Sequence, residues 1–224
     1  MLDVLYEDNH LLVVNKPAGL ATMGVQADEA SMVTVARQYL KQKYDKPGNV
    51  YIGVVSRLDA MVSGALILAR TSKGAARLSQ QLVAGSVAKV YLAWLEGVIE
   101  PAAAQWTDWL IKDEQQHRMQ TIHPNRAAQL PDAREARLSY RRLQTVDDRS
   151  LVEIHLDTGR KHQIRVQFSA HGFPIYGDSK YGGHQRLRSG IGLHARQLSF
   201  DHPTTKERIT ITAPLPPVWK KAFG

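Results

Sequence analysis

The sequence contains no cysteine among its 224 residues. Without a thiol the protein can form neither a disulfide nor a thiolate metal site, and it cannot use a cysteine nucleophile. No apolar run approaches the roughly 20 residues that a membrane-spanning helix needs. The amino terminus lacks the layout of a secretion signal, because Asp3, Glu7, Asp8 and Asn9 interrupt its apolar residues. These absences predict a cytoplasmic protein.

Sequence motifs for common cofactors are absent as well. The chain has no glycine-rich dinucleotide turn and no P-loop. Its nine histidines suggest a metal site. However, His155, His162, His171 and His194 lack the paired i, i+4 spacing with a nearby glutamate that is typical of a helical zinc site. We therefore expect neither a metal nor another cofactor.

The chain has few acidic residues relative to basic ones. It contains 29 Lys and Arg against 21 Asp and Glu, which gives a formal net charge of +8 and a pI near 9.7. This balance favours a polyanionic partner, because each phosphate that a lysine or arginine neutralises releases condensed counterions. Solubility alone is the alternative explanation. The basic residues are spread along the chain and not gathered in a tail, which favours nucleic acid as the partner.

Hydrophobic patterning predicts a protein with many strands. Apolar runs, continuous or alternating with polar residues, predict strands at 2–6, 11–15, 51–55, 64–69, 87–98, 136–143, 150–156, 192–200 and 208–213. Residues 112–135 are polar and contain Pro124 and Pro131, so we predict a long connection there, which could be a hinge between two halves of one sheet. We find no internal repeat and no low-complexity linker.

Three segments have the apolar periodicity of helices. Residues 31–44 place Val33, Ala36, Leu40 and Tyr44 near one face. Residues 72–83 repeat Ala75, Leu78 and Leu82, with Ser72 as the expected cap. A third helix is predicted from Arg160 to His171, because Gly172 can adopt the left-handed conformation after it and Pro174 prevents its continuation.

The most informative segment is Val55-Ser-Arg-Leu-Asp-Ala-Met-Val-Ser-Gly64, which precedes the apolar run 65–69. It places Asp59 at the edge of a hydrophobic sheet and not in open solvent. Burying a carboxylate costs free energy unless the group is paired or hydrogen-bonded. Asp59 is therefore a candidate functional residue.

This segment resembles the His-Arg-Leu-Asp signature of the RluA-type pseudouridine synthases, which a Ser-Gly pair and an aliphatic strand follow. Further blocks resemble the family in the same order: Tyr6-Glu-Asp, Leu11-Leu-Val-Val-Asn-Lys-Pro-Ala-Gly19, Ala88-Lys-Val-Tyr-Leu-Ala-Trp-Leu-Glu-Gly97, Thr158-Gly-Arg-Lys-His-Gln-Ile-Arg165, Pro174-Ile-Tyr-Gly-Asp178, Tyr181-Gly182 and Leu193-His-Ala195. The match covers nearly the whole chain. It implies an α+β fold with a mixed, largely antiparallel sheet flanked by helices.

The resemblance also implies an isomerase that converts uridine in RNA to pseudouridine. Asp59 would be the catalytic carboxylate, acting as nucleophile or as base. Arg165 would lower the pKa of Asp59 and orient it, since desolvation alone would leave the acid neutral. A purely structural ion pair is the alternative. We expect a single catalytic domain over residues 1–224, without an appended amino-terminal RNA-binding domain.

The other site residues follow from the same resemblance. Tyr91 would stack on the extruded uracil, although a tyrosine in a strand is more often a core residue. Arg57 would fill the space that the flipped base leaves, or contact a phosphate. Leu193 would pack against the other face of the base. His162 would order the turn before the third helix or touch a phosphate, and Ile164 is more typical of a core position.

Two positions depart from the family pattern. Ser56 stands where the signature has histidine, and Gln167 stands where a histidine commonly follows the motif arginine. Both positions bear on substrate fit more than on chemistry.

The partner expected from these motifs is structured RNA, ribosomal or transfer, bound by a monomer. A non-catalytic RNA-binding protein with the same fold is one alternative. A nucleoside or glycoside hydrolase is another, but its chemistry normally needs a second carboxylate that no motif supplies.

Overall fold

The computed structural model describes residues 2–26 and 29–219. The chain folds into two compact units. The first consists of the residues up to 89 together with 195–216, and the second consists of residues 90–194 with the chain after 216. In the described part of the chain, no helix is long and apolar enough to cross a bilayer.

Strands and helices alternate irregularly along the chain. In chain order the strands are β1 (Val4–Glu7), β2 (Leu11–Lys16), β3 (Gly53–Val54), β4 (Ser63–Ala69), β5 (Ala88–Glu96), β6 (Ala103–Asp113), β7 (Arg118–Ile122), β8 (Arg134–Val146), β9 (Arg149–Leu156), β10 (Leu193–Asp201) and β11 (Arg208–Thr212). The helices are α1 (Met32–Lys43), α2 (Ser72–Val83), α3 (Pro124–Ala127) and α4 (Gln163–Ala170), and a 3-10 turn covers Ser179–Tyr181.

In the first unit, strands pair in the order β1, β2, β4, β10, with β3 on β4 and β11 on β10. β2 pairs antiparallel with β1 and with β4, and β10 pairs antiparallel with β11. The core between this sheet and the helices includes Leu11, Ile67, Leu78 and Phe200, all nearly inaccessible to solvent. This unit places the end of β2 beside the loop that precedes β4.

In the second unit, strands pair antiparallel in the order β5, β9, β8, β6, β7. α4 packs on one face of this sheet, where Phe168 meets the rings of Trp106 and Tyr140. A second group of buried side chains comprises Leu110, Ala136, Val166 and Tyr181. The predicted α+β class with a largely antiparallel sheet is confirmed.

The long connection predicted at residues 112–135 is wrong. β6 and β7 form a hairpin there, and α3 follows it. Polar side chains dominate this segment because most of its residues are exposed or half-buried, while Leu110 and Met119 pack against the group beneath α4. Asp113 Oδ1 accepts the N–H groups of Gln115 and Gln116 at 3.0 Å and forms the turn.

The predicted helices are present, but some of their buried faces, caps and first residues differ from the prediction. In α1, Val33, Ala36 and Leu40 are buried, but Tyr44 is 44% exposed. The cap of α2 is Thr71 and not Ser72, since Thr71 Oγ1 accepts the Gly74 N–H at 3.1 Å.

α4 begins three residues later than predicted, at Gln163. The side-chain oxygen of Gln163 accepts hydrogen bonds from the Thr158 hydroxyl at 2.8 Å and from the Arg160 N–H at 3.0 Å. Because of these bonds, the residues between Thr158 and Gln163 form a turn and not part of the helix. His162 then adopts the left-handed conformation with φ +54°. Gly172 is left-handed after the helix, as predicted.

Candidate active site

Asp59 lies in the loop that joins β3 to β4, four residues before β4 begins, and its side chain is half-buried. The Asp59 carbonyl accepts the Val62 N–H at 3.0 Å, which forms a tight turn at the carboxylate. Thr22 fixes the preceding residue, since its hydroxyl donates to the Leu58 carbonyl at 2.8 Å and accepts the Leu58 N–H at 3.2 Å. The loop that carries Asp59 thus has a defined backbone and lies where β4 enters the sheet.

Lys16 supports this loop from beneath. The residue is 0% exposed, and its ammonium donates to the carbonyls of Pro17, Leu20 and Ala60 at 2.8, 2.7 and 3.1 Å. Burial lowers the pKa of Lys16 to about 8, while the neighbouring Asp59 carboxylate raises it. Lys16 therefore joins the turn after β2 to the loop that carries Asp59 and gives this carboxylate a nearby cation.

The sequence motifs did not assign a role to Lys16, although it belongs to the block 11–19 that resembles the family. Lys16 follows the four aliphatic residues 11–14 of a predicted buried strand after only one intervening residue, Asn15. This position in the sequence was the signal that its side chain would have little access to water.

The Ser-Gly pair of the signature has a structural reason. Gly64 has φ +116°, and a Cβ added there would lie 2.3 Å from the Ala195 carbonyl oxygen on the neighbouring strand β10. Only glycine permits this approach. Gly64 therefore lets β4 pack closely against β10 directly after the loop that carries Asp59.

Arg57 is exposed and Ser56 is half-buried in the same loop. Within the part of the chain that the structure describes, the Arg57 side chain makes no hydrogen bond or ion pair. Its guanidinium is thus available to an external anion.

Arg165 lies on α4 in the second unit and is 6% exposed. Its Nε and a terminal nitrogen donate to the two oxygens of Asp178 at 2.7 and 2.8 Å. Asp178 is itself buried at 2% exposure, and the Tyr181 ring lies 4.9 Å from the guanidinium carbon. This bidentate geometry fixes the plane of the guanidinium.

The motif that contains Asp178 did not predict its contact with Arg165. The two residues are 13 positions apart and meet only through the turn that follows α4, so the order of residues gave no signal of their contact.

His162 contacts Tyr181 and not a metal ligand set. Its Nδ1 lies 2.7 Å from the Tyr181 hydroxyl, which also accepts the Met119 N–H at 3.0 Å. His162 thus links the turn before α4 to Tyr181, and its role toward a substrate stays a prediction. Among the residues that the structure describes, no group of three metal-ligating side chains occurs.

The remaining predicted residues occupy the second unit. Tyr91 is half-buried on β5, where it pairs with Ile154 of β9. Leu193 is 3% exposed at the start of β10, and Ile164 is 4% exposed on α4, a core position as expected. Their roles toward a substrate stay predictions.

Gln167 faces the sheet of the second unit. Its amide nitrogen donates to Asp108 at 2.7 Å and to the Ala136 carbonyl at 3.3 Å, and the residue is fully buried. His171 contacts the same Asp108 oxygen at 3.2 Å. Gln167, which stands where the family commonly has histidine, therefore contributes to the packing between α4 and the sheet.

Comparisons with known proteins agree on one family. The family model described as RNA pseudouridylate synthase matches residues 10–170. YhcT of Bacillus subtilis, named an uncharacterized RNA pseudouridine synthase, is 34% identical over 218 residues, which are 96% of this chain and 69% of that protein. The tRNA pseudouridine synthase C of Haemophilus ducreyi is 33% identical, with 100% of this chain and 95% of that protein covered.

Two further proteins extend the comparison. The ribosomal large subunit pseudouridine synthase D of Pseudomonas aeruginosa is 32% identical over 96% of this chain and 68% of its own. The solved structure of human RNA pseudouridylate synthase domain containing 4 has a TM-score of 0.81 at 24% identity and covers 98% of this chain and 91% of its own. At that identity the likeness shows the fold.

Proposed function

This chain belongs to the RNA pseudouridylate synthase family, of the RluA type, and from that membership we propose how its residues carry out the reaction. The protein is an isomerase that converts uridine in RNA to pseudouridine. The bond between the sugar and uracil N1 breaks, the base turns, and the sugar rejoins at ring carbon 5. Carbon 5 loses a proton and N1 gains one, so the reaction needs no oxidant or reductant.

Asp59 is the proposed catalytic carboxylate. The observation that carries this assignment is the half-buried position of Asp59 in a loop that a fully buried lysine holds through three carbonyl groups. A carboxylate kept ionised close to a substrate can act as nucleophile on the sugar or as base on the uracil. The buried Lys16 cation favours the ionised form of Asp59.

Arg165 is the proposed orienting partner of Asp59. Its guanidinium has further donors besides the two that Asp178 occupies, because arginine carries five N–H groups. The bidentate contact with Asp178 supports this role, since it holds the guanidinium in one plane. In this proposal Asp178 acts through Arg165 as a positioning residue.

The remaining residues are proposed to bind the extruded nucleotide. Tyr91 stacks on the uracil, where an aromatic face contributes about 1–3 kcal/mol per base. Leu193 packs against the opposite face, and Arg57, which makes no contact among the described residues, occupies the vacated stack or binds a phosphate. His162 orders the turn beside Arg165, and Ile164 supports α4 from the core.

The proposed substrate is structured RNA, ribosomal or transfer. Two relatives are named for these classes, one a tRNA synthase and the other a large ribosomal subunit synthase. We further propose that the enzyme acts in the cytoplasm as a monomer, and that residues 1–224 serve as one catalytic domain without metal or other cofactor.

The decisive experiment uses RNA labelled with tritium at uracil carbon 5, prepared from cells that lack the gene. The wild-type protein should release the label, because that hydrogen leaves when the new bond forms. Asp59→Asn keeps the shape of the side chain but cannot act as nucleophile or base, so it should release none while retaining the fold and most RNA affinity.

Two outcomes would contradict the proposal in different ways. Tritium release by Asp59→Asn at the wild-type rate would show that Asp59 is not the catalytic residue. Tight RNA binding by the wild type without any release would favour the alternative of a non-catalytic RNA-binding protein. Asp45→Asn, an exposed residue after α1, is the matched control and should release label normally.

A further inference from the structure

Three chain segments of the second unit meet at the hydroxyl of Tyr181. Met119 of β7 donates its N–H at 3.0 Å, and His162 before α4 contacts the hydroxyl at 2.7 Å. Each of these three residues has a basic neighbour in the chain: Arg118, Lys161 and Lys180. The network around Tyr181 therefore joins three segments that are distant in the sequence, each with a cation next to the residue that makes the contact.

The frame that holds these cations is built from hydrogen bonds. Lys180 Nζ donates to the His117 carbonyl at 2.9 Å and so ties the 3-10 turn to the tip of the β6–β7 hairpin. Asp113 Oδ1 accepts two backbone N–H groups of that tip. Lys161 and Lys180 are exposed, and Arg118 is half-buried. Lys161 and Lys180 are thus presented to solvent from a hydrogen-bonded backbone, with the half-buried Arg118 on the segment that is joined to it.

None of the three cations has a carboxylate within ion-pair distance among the described residues. The nearby acids are engaged elsewhere, since Asp113 bonds the hairpin turn, Glu114 pairs with Lys112, and Asp178 pairs with Arg165. The buried Nε of Arg118 also donates to no described acceptor.

Several other cations of the same unit are paired with carboxylates. Five of them face carboxylates within 3.3 Å: Lys112 with Glu114, Arg137 with Glu135, Arg141 with Glu153, Arg142 with Glu100 and Arg149 with Asp147. Other cations of the unit also lack a carboxylate partner among the described residues: Arg126, Arg134, Arg160, Arg186 and Arg188. Arg118, Lys161 and Lys180 differ from these in belonging to segments that one hydrogen-bonded frame joins.

We propose that Arg118, Lys161 and Lys180 form a phosphate-binding surface that holds the RNA backbone. This inference rests on the proposed function and adds the place where the substrate docks. The same Tyr181 ring lies against Arg165, so a phosphate on this surface is bound by the frame that also positions the proposed partner of Asp59. Phosphate contacts of this kind position RNA without reading its sequence.

The test compares two triple variants with equal loss of charge. The first is R118Q/K161Q/K180Q, and the control is K112Q/R137Q/R141Q, whose cations are exposed and paired. Both are made in the Asp59→Asn background, and their affinity for an unmodified uridine-containing RNA stem-loop is measured over a series of NaCl concentrations. Circular dichroism and thermal unfolding confirm that each variant is folded.

The first variant should flatten the plot of log affinity against log salt, by about 0.7–0.9 for each phosphate that the protein no longer neutralises. The control should change the slope by less than half as much. In the active background the first variant should raise the half-saturating RNA concentration at least tenfold while the rate at saturating RNA stays within twofold.

Equal slopes for the two triple variants, or a wild-type slope in the first, would overturn the inference. That result is separate from failure of the proposed function, which appears as absence of tritium release by the wild type. If the first variant fails to fold, the pair K161Q/K180Q leaves the half-buried Arg118 intact. This pair should flatten the slope by the amount expected for two phosphates, compared with K112Q/R137Q.

Discussion

At the scale of single residues, the buried ammonium of Lys16 holds the loop that carries Asp59. Burying a lysine is costly, and here three carbonyl groups and the nearby Asp59 compensate the charge. The pKa of about 8 means that the charge is lost within an accessible pH range. A neutral amine donates more weakly and no longer attracts Asp59, so the loop should loosen.

We expect the rate of isomerisation to fall as pH rises through about 8. Stability should change in the opposite direction. The folded state loses the Lys16 proton near pH 8 and the unfolded state near 10.5, so the unfolded state binds more protons between these values and the free energy of unfolding rises with pH. Tritium release under single-turnover conditions measures the rate at each pH, and denaturant unfolding in parallel measures the free energy of unfolding.

The Lys16→Met variant should catalyse isomerisation slowly at every pH, and its rate should no longer fall as the pH rises through about 8. Lys73→Met removes an exposed lysine of α2 and should retain the wild-type profile. A wild-type rate that stays constant from neutral pH to well above pH 9 would show that the charge on Lys16 does not contribute to the reaction.

Individual site residues differed in how far the sequence could predict them. The position of Asp59 at a sheet edge followed from the local pattern, because the aliphatic residues on both sides are contiguous with it. The contact between Arg165 and Asp178 did not, since it depends on how α4 and the following turn pack. Contacts made through tertiary packing leave no local periodicity.

At the scale of elements, strands with a local hydrophobic pattern were predicted, whereas the β6–β7 hairpin, which depends on tertiary packing, was missed. β2 and β4 have the pattern of strands because seven consecutive residues of β4 and the first four of β2 are buried. β6 and β7 have only Leu110 fully buried, so their strand conformation depends on interstrand hydrogen bonds and on packing beneath α4. Hydrophobic patterning does not detect such strands.

Helix α1 is attached to the sheet through a polar cluster around Glu7 of β1. The Glu7 carboxylate accepts hydrogen bonds from Tyr39, Lys43 and Tyr44 at 2.8, 2.8 and 2.6 Å, and from Arg70 at 3.1 Å. Burial would raise the pKa of Glu7, but the bonds from Lys43, Tyr44 and Tyr39 outweigh it and lower the pKa below its ordinary value.

Glu7→Gln should therefore reduce the free energy of unfolding at neutral pH by about 1.5–3 kcal/mol, the range for hydrogen bonds to charged groups. Because the folded pKa of Glu7 is lowered, its contribution is present above the ordinary value near 4.5 and is lost as pH falls through the folded value. Urea unfolding at several pH values should show that the free energies of unfolding of the wild type and of Glu7→Gln converge as the pH falls into the acid range.

The control for this variant is Glu114→Gln, which removes an exposed carboxylate with a surface ion pair and should change stability by less than about 0.5 kcal/mol. A difference between wild type and Glu7→Gln that persists unchanged at the lowest pH would mean that the effect comes from packing and not from the charge.

At the scale of the whole molecule, the net charge of +8 combines two kinds of cation. Many are neutralised locally by carboxylates, while Arg57, Arg118, Lys161 and Lys180 have no such partner among the described residues. The formal charge alone favoured a polyanionic partner, but only the structure shows which cations remain unbalanced. Arg57 and Lys161 lie in loops, Lys180 lies in the 3-10 turn and Arg118 begins β7, a placement consistent with recognition of RNA by shape.

Recognition by shape predicts that the enzyme modifies a small number of uridines and not uridine in general. Pseudouridine mapping of total RNA from cells with and without the gene should reveal discrete sites that are lost in ribosomal or transfer RNA. Wild-type protein should restore these sites, and Asp59→Asn should not, because it binds RNA without reacting. R118Q/K161Q/K180Q should restore them only when overproduced, since weaker docking raises the RNA concentration needed without changing the chemistry. Restoration of every site by Asp59→Asn, or loss of no site when the gene is removed, would contradict a site-specific isomerase.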